Sequence, residues 1–372
     1  MAATSGGGHW LRRLFGLVGG LFGGLLAAGG SRGAALPEDV AEGMVHFFNG
    51  GGVTASGPAL LVRKSIADTV SLTGTLYVDM VSNASIDVVT TASPFRETRT
   101  AYGAALNYAV RESLITVAAA TSHEPDYIAD TFNLDVAQDM FGGLTTVSLG
   151  FTKGDDKVGK HGTEGWIDTA THWRYRLGAT QVLTPNWLAT VNLEAISDEG
   201  FLGSPYRVAR VFGAAVPERV PRTRSSRAMQ LRAIGDLGDK NVVNGLYRYY
   251  WDTWGLTAHT AELGYGRYFG DAWLANTFVR YHTQQGALFY SDNATADTTY
   301  VTRNRQLSTF YDGAVGATVT YTMVKPGGSY AVNLTGGIEA MRFNYSDFTD
   351  IRTGKLYSFD AVLAQLVVSV TF

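Results

Sequence analysis

The last twelve residues of the chain, AVLAQLVVSVTF (361–372), decide the fold class. Every second position is apolar, and the series ends on a phenylalanine: Val362, Ala364, Leu366, Val368, Val370 and Phe372. The other face mixes polar with apolar residues: Gln365, Ser369 and Thr371 with Leu363 and Val367. A period of two predicts a β-strand with two unlike faces. Chain ends are usually frayed and polar, so this strand indicates that an apolar environment covers one face.

The composition favours a β-barrel in a bilayer. The 372 residues include 44 Gly, 18 Phe, 19 Tyr, 7 Trp and no Cys. Charged residues make up only 17%, whereas about a quarter is typical of soluble domains. No internal apolar stretch reaches the roughly 18 residues of a spanning helix, which excludes a helical membrane protein. The absence of cysteine excludes disulfides and thiolate chemistry, and the net charge of −3 argues against a nucleic-acid partner.

The N-terminus predicts export. Arg12 and Arg13 precede an apolar stretch at 14–28, and the small-residue segment GGSRGAAL (29–36) follows. This is the order of a secretory signal, with cleavage expected near Ala35. We therefore expect a signal peptide at 1–35 and a barrel at 36–372. Removing residues 1–35 deletes three arginines and no acids, which moves the formal charge from −3 to −6.

Alternating segments recur along the rest of the chain. In TVSLTGTLYVDM (69–80), apolar residues alternate with serine, threonine and aspartate. Each alternating segment is close to the roughly 9–11 residues that a tilted strand needs to cross a bilayer. The pattern predicts an all-β, up-and-down antiparallel transmembrane barrel of about sixteen strands, at 43–49, 54–65, 69–81, 97–110, 113–122, 127–138, 143–153, 171–184, 187–198, 226–237, 241–253, 257–269, 272–284, 307–323, 329–345 and 357–372.

The links between these segments alternate in length. Tight links at 184–187, 237–241, 269–272 and 325–329 alternate with longer ones at 82–96, 154–170, 199–225, 285–306 and 346–356. Outer-membrane barrels combine short periplasmic turns with longer external loops. If Phe372 ends on the periplasmic side, every long link lies outside and both ends of the barrel domain lie inside.

Aromatic residues form two predicted bands on the apolar faces. Beside the tight turns lie Trp187, Phe269, Trp273, Tyr330 and Phe372; near the other strand ends lie Tyr102, Trp173, Trp251 and Tyr281. Such bands are typical of the girdles at the two membrane interfaces. A soluble sandwich or propeller, whose aromatics would pack a core, is the alternative. It is disfavoured because these apolar faces carry almost no charge.

Five segments resemble a family of bacterial outer-membrane proteins, domain-of-unknown-function family 3570. They are NGGGV (49–53), YVDMVSNASIDVVTTASP (77–94), ISDEGFLGSPYR (196–207), DTWGLTAHTAELGY (252–265) and LYSFDA (356–361). The resemblance covers essentially the whole mature chain and implies a secreted barrel of uncharacterised role. It also associates such genes with neighbours for a flavin-attaching transferase and a thioredoxin-like protein, which implies an envelope redox or trafficking system. Resemblance to outer-membrane barrels implies that the terminal Phe372 is read during assembly.

Charged residues on the polar faces are the candidates for the pore lining, since those faces would line the lumen. They are Arg63, Asp79, Arg99, Asp135, Arg174, Arg176, Glu194, Arg232, Arg248, Asp252, Glu262, Arg280, Asp312 and Glu339. A barrel of sixteen strands is wide enough for an aqueous channel, and opposed charges set ion selectivity in pores. Alternatively, these charges form a satisfied polar network around a plug or an infolded loop. Loop 82–96 either extends its flanking strands or folds inwards.

The segment 199–227 is the longest predicted loop and is rich in arginine. Its constriction candidates are Arg207, Arg210, Arg219, Arg222 and Arg224. Arginine offers a planar fork of donors to carboxylate or phosphate. The loop could fold into the lumen and pair with Glu194, Asp252 or Glu262, could bind lipid headgroups, or could stay solvated. Its apolar run at 208–216 favours infolding.

No catalytic, metal or cofactor site is predicted. None of the seven histidines has a helical metal-site spacing, and no hydrolase geometry can be read from the strands. The sequence therefore predicts a porin-like channel or transport component for small polar solutes in the bacterial outer membrane, and not an enzyme. The alternative is a non-conducting scaffold in an envelope system. Expected partners are outer-membrane lipid, the assembly machinery through the C-terminal strand, and a periplasmic protein.

Overall fold

The computed structural model describes residues 34–83, 85, 95–160, 162–324 and 330–372. Most of the predicted signal peptide, most of loop 82–96 and the turn at 325–329 therefore lie outside the described residues. The strands are β1 Val40–Gly50, β2 Val53–Ala67, β3 Val70–Asn83, β4 Phe95–Val110, β5 Ser113–Glu124, β6 Tyr127–Met140, β7 Thr145–Gly159, β8 Trp166–Thr184, β9 Trp187–Gly200, β10 Val208–Val211, β11 Ala214–Pro217, β12 Thr223–Gly238, β13 Asn241–Asp252, β14 Thr257–Phe269, β15 Trp273–Gln285, β16 Phe310–Val324, β17 Ala331–Asp350 and β18 Lys355–Thr371.

Sixteen of these strands close into one antiparallel barrel within the described residues. Each pairs with the next along the chain, β9 pairs with β12, and β1 closes the sheet against β18 from Val40↔Thr371 to Gly50↔Ala361. Every alternating segment predicted from the sequence corresponds to one of these strands, which confirms the fold class. Two 3₁₀ turns are also present, and no helix in the described part of the chain is long and apolar enough to span a membrane.

The two ends of the barrel differ in their connections. The end that carries Val40 and Phe372 has short turns, such as 68–69, 111–112 and 185–186, and we call it the inner end. The outer end carries the long connections 201–222 and 286–309 but also the short links 51–52 and 125–126. The predicted long link at 346–356 shrinks to 351–354, because β17 continues to Asp350. There the Asp350 side chain accepts hydrogen bonds from the backbone and side chain of Arg352.

The two faces of the wall have opposite chemistry. Large apolar side chains point outwards and stay exposed, as Val62 (53%), Leu263 (65%) and Val315 (56%) illustrate. Nine aromatics were predicted to form two outward bands, and Tyr102, Trp187, Phe269, Trp273, Tyr281, Tyr330 and Phe372 are exposed by 40% or more. Trp173 and Trp251 are half-buried. A surface of this kind is stable only in an apolar medium.

The inward face is packed along one part of the wall. Phe48 and Val53 cluster with Ala361 and Leu363, which joins β1 and β2 to β18. Next to this cluster, Phe310 and Tyr345 pack with the fully buried Phe348, and partly buried aromatics of β17 and β18 cover both groups. The inside of the barrel therefore has one apolar, aromatic wall running from β16 to β2.

The outer-end loops form a structure of their own, which the sequence did not predict. Strands β10 and β11 form a hairpin, and isolated bridges join Val211 to Ala294 and Arg219 to Val301. Ala209, Val211 and Val301 are buried between the two loops. We call residues 201–222 and 286–309 together the outer cap. Ala209 and Val211 of the apolar run at 208–216 pack inside this cap, whereas Phe212 is 73% exposed.

Candidate functional site

All fourteen predicted lining residues lie on barrel strands, on the face opposite the exposed apolar side chains. On β8, for example, Arg174 and Arg176 alternate with Tyr175 and Leu177, which are exposed by 53% and 44%. The structure therefore places these charges inwards. Whether these charged residues select ions stays a prediction. The contacts of each side chain determine how accessible its charge is to a solute.

One set of charges lies on the wall formed by β6 to β9. The Arg176 guanidinium donates to Asp135 Oδ1 at 2.8 Å, and each side chain is 42% exposed. Gly150 lies between them, paired with Asp135 on one side and Arg176 on the other. A Cβ at Gly150 would collide with the Asp135 carboxylate and approach Arg176 Nε to 2.8 Å. Since glycine leaves this space empty, charges two strands apart can meet.

The chain of alternating charge continues across the next strand pair. Glu194 pairs in register with Arg176 and forms an ion pair with Arg174, with Nε and Oε1 3.0 Å apart. The side chains of Arg174 and Glu194 are 35% and 24% exposed. Inward-facing charges that keep this exposure adjoin solvent space inside the barrel. The β6–β9 wall is thus an accessible, mixed-charge surface.

The charges on β14 to β17 are more deeply buried. Arg280 Nη2 lies 2.5 Å from Glu339 Oε1, with side-chain exposures of 15% and 5%. Glu262 pairs in register with Arg280, and Asp312, fully buried, pairs with His282. This group is a packed polar network rather than an accessible surface. The inward charges are therefore accessible on the β6–β9 wall and buried against one another on this wall.

A third network joins β1 to β3. His46 Nε2 lies 3.3 Å from Asp79 Oδ1 and 3.2 Å from the Tyr77 hydroxyl, and the His46 and Tyr77 rings stack. His46 is the register partner of Gly57 on β2, and Asp79 lies on β3, so the contact crosses one strand. Nearby, Arg99 donates to Ser122 Oγ at 2.8 Å.

The remaining lining candidates differ in their surroundings. Arg63 donates to Thr73 Oγ1 at 3.3 Å, and the Arg248 guanidinium lies 5.6 Å from the Tyr250 ring centre. Arg232 is exposed. Asp252 ends β13 and is fully buried at its side chain.

Asp252 also forms an ion pair with Arg224, one of the five predicted constriction arginines. Arg224 donates to Asp252 Oδ2 through Nε at 2.9 Å and Nη2 at 2.6 Å, and its guanidinium lies 4.6 Å from the Trp254 ring centre. Asp252 Oδ1 accepts the backbone amides of Trp254 and Leu256. This pair thus fixes the turn between β13 and β14.

The other four arginines pair at the outer end. Arg207 lies 3.4 Å from Glu218, and Arg210 donates to the Gly213 carbonyl at 3.3 Å. Arg219 pairs with Asp297, which joins the two halves of the outer cap. Arg222 pairs with Asp168 at 2.7 Å, and its hydrogen bonds to that carboxylate raise the Arg222 pKa above its usual value. The constriction itself stays a prediction.

The outer cap is attached to the aromatic wall. Arg303 lies 2.7 Å from Asp292 and 4.3 Å from the ring centre of Phe348. The Tyr290 hydroxyl donates to the Asp347 carbonyl at 3.1 Å. Because the Arg303 guanidinium and the Tyr290 hydroxyl both contact the end of β17, the 286–309 loop is held at one side of the outer mouth.

A histidine bridge lies on the opposite side of the outer end. His172 contacts Asp156 at 2.9 Å through Nε2 and Asp198 at 2.7 Å through Nδ1. Both ring nitrogens are used, so the cluster ties β7, β8 and β9 together. In the described part of the chain, no group of three or more His, Cys, Asp or Glu side chains is arranged to hold a metal ion.

Comparison with known proteins identifies the family. The family model DUF3570, a protein of unknown function, matches residues 27–167 and 163–327. The chain belongs to this family. No curated protein matches it in sequence.

Solved structures support the barrel assignment of this DUF3570 protein. It superposes on a bacterial polysaccharide outer membrane secretin with a TM-score of 0.52 and 6% identity, covering 91% of this chain and 100% of that one. Pseudomonas aeruginosa OccK2 (OpdF) in complex with glucuronate gives 0.43 and 10%, covering 89% and 96%. The siderophore receptor PirA from the same organism gives 0.41 and 10%, covering 90% and 81%. At such identities the first likeness bears on the fold alone, which is that of outer-membrane barrels.

Sequence reasoning missed two features of this DUF3570 barrel. His46 was not selected, because the lining candidates were chosen only among arginine, aspartate and glutamate. The aromatic inner wall was missed because aromatics were assigned to the lipid-facing bands. A usable signal was the inward-facing glycine, because Gly150 marks the place where Asp135 and Arg176 meet across a strand.

Proposed function

We propose that the protein is an outer-membrane channel that passes small polar solutes along the β6–β9 wall. The observation that carries the proposal is the Asp135–Arg176 pair, whose side chains face inwards and are each 42% exposed. If side chains or a plug filled the lumen at this level, Asp135 and Arg176 would be buried, as Asp312 and Glu339 are on the other wall. A hydrated path lined by both signs of charge suits polar solutes.

The asymmetry of the lumen supports a path along one side. The aromatic wall from β16 to β2 excludes water by packing, whereas the pairs Arg174–Glu194 and Arg176–Asp135 remain accessible. The outer cap narrows the mouth on the side where Arg303 contacts Phe348. A polar solute would therefore enter beside the cap and move along the charged wall.

The proposed location is the bacterial outer membrane, after cleavage of a signal peptide near Ala35. The exposed apolar belt and the two aromatic bands support a bilayer environment. N-terminal sequencing of the membrane fraction is expected to begin near Leu36. Recovery of an intact Met1, or of the protein in the soluble periplasmic fraction, would contradict this location.

Planar-bilayer recording of the purified barrel tests the channel. We expect conductance, and in a salt gradient we expect Arg176→Gln to shift the reversal potential towards cation preference and Asp135→Asn towards anion preference. Arg342→Gln is the matched control, because Arg342 pairs with Asp360 on the outward face and is 51% exposed. No conductance from a folded barrel would reject the channel. Unchanged selectivity in both lumenal variants would reject this wall as the path.

A further inference from the structure

An open groove of about 390 Å³ lies on the outward face of β8, β9, β12 and β13. Its lining includes Tyr175, Leu177, Leu193, Ala195, Arg227 and Trp251, and we call it the Arg227 groove. It combines a cation with an apolar channel. The proposed conduction path does not use it, since it lies on the other side of the wall.

The sheet register explains the shape of the groove. Arg227 pairs with Trp251 on β13 and with Ala195 on β9, and Ala195 pairs with Tyr175 on β8. The four residues therefore form one row across the strands. Because alanine is small, a gap remains between Arg227 and Tyr175, which are two strands or roughly 10 Å apart.

The groove runs from polar to apolar along the strands. Trp251 belongs to the outer aromatic band, and Arg227 is the fifth residue of β12, close to its outer end. Leu177 and Leu193, which pair with each other, lie two residues closer to the inner end than Tyr175 and Ala195. A ligand lying in the groove would thus meet a guanidinium at the level of the headgroups and leucines at the level of the acyl chains.

The Arg227 guanidinium is available to such a ligand. It is exposed, and within the described residues no carboxylate forms an ion pair with it. An unpaired arginine on a lipid-facing surface is unfavourable unless its charge is met by an anion or by water at the interface. Arginine suits phosphate because its fork of donors can bind two oxygens at once.

We propose that the Arg227 groove binds one lipid molecule with a phosphate-bearing headgroup. The phosphate would contact Arg227 beside the Trp251 ring, and an acyl chain would lie over Ala195 against Leu177 and Leu193. This inference rests on the outer-membrane location proposed above but not on conductance. Its readout is lipid retention, so its failure can be distinguished from failure of the channel.

The test is native mass spectrometry of the full barrel in detergent, after incubation with phosphatidylglycerol or with diacylglycerol of identical acyl chains, which has no phosphate. We expect preferential retention of one phosphatidylglycerol by the parent protein. Arg227→Gln is expected to lower that retention about fivefold, which corresponds to about 1 kcal/mol for one cation at a membrane surface, and to leave diacylglycerol retention unchanged. Ala195→Trp fills the gap and is expected to lower retention of both lipids.

Arg267→Gln is the matched control. Arg267 is an exposed, outward arginine near the inner end, 5.6 Å from the Phe269 ring centre, so it should not affect the groove. Heat-modifiable gel mobility reports folding of each variant, and the comparison of the two lipids on the parent protein needs no variant. Equal retention of the two lipids by the parent protein would overturn the proposal. An equal loss in Arg267→Gln, or displacement of the lipid by inorganic phosphate, would also overturn it.

Discussion

The backbone amide of Phe372 donates a 3.1 Å hydrogen bond to the carbonyl of Asp39, so the last residue is held by the residue preceding β1. Lys64 contacts both Asp39 and Phe372, because its Nζ lies 2.7 Å from Asp39 Oδ2 and 4.7 Å from the Phe372 ring centre. Asp39 Oδ1 also accepts the Ser65 amide at 2.6 Å. This contact set, at the inner end of the β1–β18 junction, locks the strand pair that closes the barrel.

The first prediction concerns the terminal side chain. We expect Phe372→Asp to reduce the yield of folded barrel in the membrane far more than Thr371→Asp. Phe372 is 47% exposed on the outward face and contacts Lys64, whereas Thr371 alternates to the inward face. Loss of the ring removes interfacial apolar area, and the new carboxylate carries a depth-dependent cost of up to a few kcal/mol. Fractionation with heat-modifiable mobility measures the yield, and equal yields would contradict the face assignment.

The second prediction concerns acid stability at the same junction. Hydrogen bonds from Lys64 and Ser65 lower the pKa of Asp39 from 3.8 to about 2. A lowered folded-state pKa means that the carboxylate stabilises the barrel above its unfolded pKa, and that this contribution is lost as pH falls from about 3.8 through about 2. We expect the parent protein to lose thermal stability across this window more steeply than Asp39→Asn. Glu38→Gln is the neighbouring control, and identical slopes for the parent protein and Asp39→Asn would contradict the linkage.

The third prediction ranks three glycine-to-alanine variants by their effect on the free energy of unfolding. A Cβ at Gly57 would overlap the carbonyl oxygen of Val78, one at Gly150 would meet the side chains of Asp135 and Arg176, and one at Gly74 would meet nothing within 4 Å. Backbone cannot move aside as readily as a side chain. Gly57→Ala is therefore expected to cost most, up to about 3 kcal/mol. Gly150→Ala is expected to cost less, and Gly74→Ala to stabilise by about 0.5–1 kcal/mol.

Urea titration of the barrel in detergent measures this order. Gly150→Ala should also alter ion selectivity, because it separates the Asp135–Arg176 pair, whereas Gly74→Ala should not. Equal unfolding midpoints for Gly57→Ala and Gly74→Ala would show that the strands do not approach each other as described.

The fourth prediction compares a buried with an exposed ion pair. Arg224 and Asp252 have side-chain exposures of 10% and 0%, whereas Arg219 and Asp297 have 43% and 68%. Arg224→Met leaves the Asp252 carboxylate buried without its partner, so we expect a loss of about 3–5 kcal/mol. Arg219→Gln is expected to cost at most about 1 kcal/mol. Urea midpoints measure both, and a smaller loss for Arg224→Met than for Arg219→Gln would contradict the assignment of Asp252 as the fixed point of the turn.

The strands and their two faces could be predicted from the amino-acid pattern alone. Alternation at Val362 to Phe372, and at the fifteen segments before it, is a local pattern, because the side-chain period of a strand is two whatever its neighbours are. The bilayer then selects apolar residues for one face only, so the exposed belt and the inward charges such as Arg176 could be predicted without coordinates. The family resemblance was carried by local segments for the same reason.

Which inward groups meet, and which stay accessible, depends on how distant strands and loops come together. Asp135 and Arg176 are separated by 41 positions along the chain, and their contact depends on the register of two strand pairs and on Gly150 between them. Burial of Glu339 but not of Asp135 depends on how the aromatic wall and the outer cap fill one side of the lumen. A period-two pattern and short turns restrict the register of neighbouring strands, whereas closure of the barrel and packing of the loops are set by contacts between distant segments.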